Sequence, residues 1–89
     1  MALVLNGKQA GLALGGLFAI LHAAWSLIVA SGNGQGFLDF FSQLHFLTPE
    51  TVTAFDPMNA AILVATTFVV GYIIGWLFAW LWNWAGKKV

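Results

Sequence analysis

Apolar residues fill two long stretches of this chain, and polar residues gather between and beyond them. From Ala10 to Ala30 the only strongly polar side chains are His22 and Ser26, and from Ala60 to Trp82 there is no charge at all. At about 1.5 Å per residue the first run covers roughly 30 Å, the thickness of a hydrocarbon core. The second run is equally long, and Asp56-Pro57 ahead of it supplies an N-cap and a proline at the first helical position. The pattern predicts an all-α membrane protein: an antiparallel hairpin of two transmembrane helices, 10–30 and 57–85, within a single membrane domain, 1–89. A secretory signal peptide is the competing reading of the first run, with Ala30 and Gly32 before the cut. The run exceeds the roughly 7–15 residues of such a core, so it is read as retained.

Between the spans the period changes. Ser31-Gly32-Asn33-Gly34-Gln35-Gly36 is expected to break the helix. Phe37, Phe40, Phe41, Leu44 and Leu47 then recur at helical spacing, with Asp39, Ser42 and Gln43 on the other side. Eleven residues are too few to span, so 37–47 is predicted to be an amphipathic helix in the headgroup plane or folded over the mouth of the hairpin. Thr48-Pro49-Glu50 carries a second cap-plus-proline signal and is expected to open a short turn through Ala54.

Both spans carry a small-residue face. Gly11, Gly15, Ala19 and Ala23 follow one another at four-residue steps on the first, and Thr67, Gly71, Gly75, Ala79 and Asn83 do so on the second. Small residues let helix backbones approach closely in lipid, where apolarity gives helices no reason to associate. The faces fit either the contact within one hairpin or a contact between copies, and a homo-oligomer is expected. Trp25 and the run Trp76, Trp80, Trp82 and Trp84 are expected to be interfacial anchors, the place where tryptophan concentrates in bilayers.

Composition narrows the functions. The chain of 89 residues is 61% hydrophobic and 7% charged, far from the quarter or so charged in soluble domains. Three lysines and no arginine leave no footprint for nucleic acid. Without cysteine there is neither disulfide nor thiolate chemistry, and no nucleophile–base pair or phosphate loop appears, so no enzyme is expected. Lys8, Lys87 and Lys88 lie outside the spans, whereas Asp39, Glu50 and Asp56 lie between them. The positive-inside rule then places both termini in the cytoplasm, in a prokaryotic inner membrane. His22, at membrane depth, is the candidate cofactor residue, for a haem or chlorophyll-type pigment, against the plainer reading of a neutral imidazole donating to a backbone carbonyl or to Ser26. His45 reads as a surface residue and no metal site is expected.

The Gly-rich first span ending near Trp25, the break followed by Phe37-Leu38-Asp39-Phe40, and Gly71, Gly75 and Ala79-Trp80-Leu81-Trp82-Asn83 together resemble a group of short bacterial and archaeal two-span membrane proteins of unknown function, some labelled holin-like. Its closing motif looks like Ala-Trp-Leu-Tyr-Asn, and Trp82 stands here at the tyrosine. The holin-like label implies oligomers that permeabilise the inner membrane; the charged tail usual in holins is reduced here to Lys87 and Lys88. The functional expectation is a non-enzymatic assembly, as membrane scaffold or holin-like pore. The alternatives are a pigment- or haem-binding or accessory subunit of a larger complex using His22, and an ion channel.

Overall fold

A computed structural model describes residues 4–88; of the predicted N-terminal lead and closing tail, residues 1–3 and 89 lie outside them. The described chain is helical, in the order α1 (Gly7–Ala30), α2 (Gly34–Leu44) and α3 (Pro57–Lys88). Helix α1 begins three residues ahead of the apolar run because Asn6 caps it, its side chain accepting from the Gln9 N–H at 3.1 Å. It ends in a two-bond Schellman closure. Gly32 takes φ +88° and donates to the Val29 carbonyl at 3.0 Å, and Asn33 donates to that of Ile28 at 3.1 Å.

That compact closure corrects the expected break. The turn takes only Ser31–Asn33, and Gly34 and Gly36 belong to α2, which starts three residues earlier than expected and ends at Leu44 rather than Leu47. A second Schellman closure ends α2: Phe46 donates to the Gln43 carbonyl at 3.2 Å and Leu47 to that of Ser42 at 2.9 Å. Its left-handed position, φ +60°, is held by Phe46 instead of glycine. The short helical turn expected at Thr48–Ala54 does not form. There the Gln35 side chain takes the backbone groups such a turn needs, accepting from Val52 N–H at 2.7 Å and donating to the Glu50 carbonyl at 2.9 Å.

Asp56 caps α3, its carboxylate accepting from Met58 N–H at 2.9 Å and its carbonyl from Ala60 N–H at 3.0 Å. The helix runs through the tryptophans and Gly86 to Lys88, three residues past the predicted span 57–85, with Lys87 and Lys88 opposing the negative pole of the helix dipole. At about 48 Å, its length accounts for the 49 Å long axis of the molecule. Helix α3 packs along α1, and α2 packs on α1 alone.

Few apolar side chains are buried within the described chain. Ala79 is the only buried hydrophobic residue among those described, while side chains such as Leu27, Ile20 and Val69 stand 71%, 68% and 55% exposed. Both α1 and α3 are long and apolar enough to cross a membrane.

Candidate functional site

The closest packing lies along the glycines. A Cβ built on Gly71 would stand 2.6 Å from the Leu14 carbonyl oxygen and 2.8 Å from the Gly15 Cα; one on Gly75 would overlap the Ala10 carbonyl and lie 2.8 Å from the Gly11 Cα. From the other side, a Cβ on Gly15 would stand 2.7 Å from the Phe68 carbonyl oxygen and one on Gly11 3.0 Å from that of Tyr72. Numbers fall on α3 as they rise on α1, so the two helices lie antiparallel, backbone against backbone. Gly11, Gly15, Gly71, Gly75 and Ala79 are thus buried within one chain. The contact is made by close van der Waals approach of the two backbones, the kind of packing that small residues allow.

One end of this seam is pinned by hydrogen bonds. The Asn83 carboxamide accepts from Leu5 N–H at 2.9 Å and donates to the Leu5 carbonyl at 3.0 Å, tying the segment before α1 to the last turns of α3. Trp76 lies against Gly7. Lys8, Lys87 and Lys88 therefore share this end, and the Lys88 ammonium stands 5.9 Å from the centre of the Trp84 ring. Trp76, Trp80, Trp82 and Trp84 are about half exposed, with Trp82 stacked on Phe78 at 6.1 Å.

Towards the connection, Ala19 and Ala23 line an apolar groove of about 840 Å³ with Ser26 and Leu27 of α1, Ala60, Ala61, Val64, Ala65, Phe68 and Val69 of α3, and Phe55 of the connection. Thr67 turns its hydroxyl back onto the Leu63 and Val64 carbonyls at 2.8 and 3.0 Å. The expected small-residue face is thereby divided: its glycines close the seam and its α1 alanines border a space.

The His22 Nδ1 lies 2.8 Å from the Phe18 carbonyl, and since a carbonyl only accepts, that nitrogen carries the proton. The Ser26 hydroxyl donates in turn to the His22 carbonyl at 2.9 Å. A backbone carbonyl is the partner that the plainer of the two readings for His22 names. His45 repeats the arrangement on α2, with Nδ1 2.8 Å from the Phe41 carbonyl and its ring stacked on Phe41 at 4.3 Å. Among the described residues no three His, Cys, Asp or Glu side chains come together as a metal set.

On α2 the polarity is turned outward in an unexpected way. Gly34 and Ser42 are buried, whereas Phe37, Phe40, Phe41 and Leu44 are about half exposed or more, and Phe46 is 97% exposed. The Phe37 ring meets α1, 5.9 Å from that of Trp25, and Gly34 lies against Val29. Phe46 carries the cost of a left-handed non-glycine residue, about 1–2 kcal/mol, for a ring that touches almost nothing of its own chain. Gln35 and Phe46, which organise this region, carry no sequence signal: one is a lone amide in a glycine-rich stretch, and the other reads as one more apolar residue.

Compared with known proteins, the chain matches no family model, no curated protein and no solved structure.

Proposed function

We propose that the chain is an integral membrane protein of non-enzymatic, structural role: a two-span hairpin that serves as a scaffold in a larger membrane assembly of its own copies. In this reading α2 lies at the outward membrane surface, both termini are cytoplasmic, and the membrane is a prokaryotic inner membrane. The inverted burial carries it. A folded soluble protein of 9.6 kDa exposes roughly 5,100 Å², and this chain exposes 6872 Å², dominated by Leu, Ile, Val, Phe and Trp side chains. In water that surface is untenable; in lipid it is the expected exterior.

The exposed aromatic row of α2, with Phe46 held out at a backbone cost, supports an interfacial position for that helix. A scaffold is favoured over a holin-like pore or an ion channel by where the polar groups of the spans point. Ser26, Thr67 and Asn83 each spend hydrogen bonds on backbone of the same chain, so few polar groups of the spans, Thr66 and Tyr72 among them, are left to line a conduit. With the glycines enclosed, copies associate through the Leu- and Ile-rich exterior.

The test has two parts. Alkaline carbonate washing of membranes is expected to leave the protein in the pellet, and release into the wash overturns the membrane reading. Mass measurement in mild detergent is expected to return more than one copy per particle, and a strictly monomeric particle overturns the assembly.

A further inference from the structure

The groove lined by α1, α3 and Phe55 of the connection has no role in the hairpin itself. Its 840 Å³ lies in the size range of ligand pockets, about 300–1,000 Å³. Ala19, Ala23, Ala60, Ala61 and Ala65 leave the space that larger side chains would fill. Its one hydroxyl, on Ser26, is already bonded to the His22 carbonyl, and the helix backbones around it are internally paired. An occupant along this length is offered no hydrogen bond. That chemistry suits a hydrocarbon chain.

Charge decides between a lipid and a second copy. Asp56 precedes Ala60 and Val64 at four-residue steps, so it stands at the connection end of the groove, next to Phe55 on the rim. One of its carboxylate oxygens caps Met58, and the other is not used by the cap. Asp39 and Glu50 belong to the same connecting region, and from residue 9 to residue 86 there is no Lys or Arg. A second copy seated here in the same orientation brings acids of its own to Asp56 and offers it no cation. A headgroup carrying an ammonium attracts.

Resting on the membrane reading above, we propose that the groove is a lipid site, holding one acyl chain of a zwitterionic aminophospholipid whose ammonium lies at Asp56. The experiment is native mass spectrometry of the full chain released from nanodiscs of phosphatidylethanolamine or of phosphatidylglycerol. The wild type is expected to retain one phosphatidylethanolamine and much less phosphatidylglycerol. Ala23→Leu with Ala61→Leu fills the groove and is expected to abolish retention of both, with helix content by circular dichroism unchanged. Asp56→Asn keeps a capping side chain and is expected to erase the headgroup preference while an acyl chain still binds.

Wild-type protein released without lipid overturns the proposal, as does equal retention of the two lipids that Asp56→Asn leaves unchanged. A lipid-free dimer lost in the groove-filling variant puts a second copy in the groove and overturns it too. Should the double leucine variant fail to fold, Ala61→Leu alone gives the same readout. Failure here is distinct from failure of the membrane reading, which appears already as protein lost in the carbonate wash.

Discussion

The glycine seam makes a sharp comparison available, because adding one methyl group has opposite consequences at Gly71 and at Gly16. Both lie inside long helices, where Gly→Ala gains up to about 1 kcal/mol of helix propensity. Around Gly16 a new Cβ meets nothing within 4 Å. At Gly71 it meets the Leu14 carbonyl oxygen at 2.6 Å, where ordinary contact begins at 3.4 Å, so the helices must separate by about 0.8 Å. The obstruction is backbone and cannot rotate aside. A gap of that size forfeits a quarter to a half of each dispersion contact along the seam, and overpacking of this kind costs about 1–3 kcal/mol. Gly71→Ala is therefore expected to fall below Gly16→Ala by about 1–3 kcal/mol, measured by tryptophan fluorescence during denaturation in mild detergent. Gly75→Ala is expected to behave the same way. Because the seam is internal, neither change alters the number of copies per particle. If Gly71→Ala and Gly16→Ala prove equally stable, the close approach of the two backbones is refuted. If particle mass falls while stability holds, the glycines belong to a contact between chains.

Asn83→Leu removes both bonds to Leu5 and leaves its backbone groups unpaired, a loss of about 1–3 kcal/mol; faster hydrogen exchange at the Leu5 amide is the check. Gln35→Ala is expected to release only the connection, raising exchange at Val52 severalfold while amides of α1 and α3 keep their protection. Phe46→Gly relieves the left-handed strain and is expected to stabilise α2 by about 1 kcal/mol, while weakening insertion into lipid monolayers; unchanged insertion removes the interfacial role of that ring. Nitrogen-15 spectra of the imidazole are expected to show the His22 proton on Nδ1, and a proton on Nε2 contradicts the bond to Phe18. A visible absorption band in purified protein reopens the pigment reading.

What the sequence made legible follows from period and composition. Two uncharged apolar runs specify two long helices, and Asp56-Pro57 marks the start of α3 to the residue. Boundaries near glycine were misplaced because one residue at φ +88° suffices to close α1, so the next glycines are free to join a helix. The turn expected at Thr48–Ala54 failed for a different reason: Gln35, some fifteen residues away, claims the backbone there, and no local window contains that competition. The small-residue faces were visible, but spacing alone does not say that the glycines meet while Ala19 and Ala23 line a groove. That division depends on how the two helices pack. The inward use of His22, Ser26 and Thr67 is a short-range matter of one helical turn, and for His22 it was among the readings the sequence offered.

The paired bonds between Leu5 and Asn83 bring the lead into α1 and the last turns of α3 to one spot. A head-to-tail duplication therefore needs only a linker of a few residues, and the second unit inherits the orientation of the first. A nick in the connection near Phe46 would leave two fragments still gripping each other along α1 and α3.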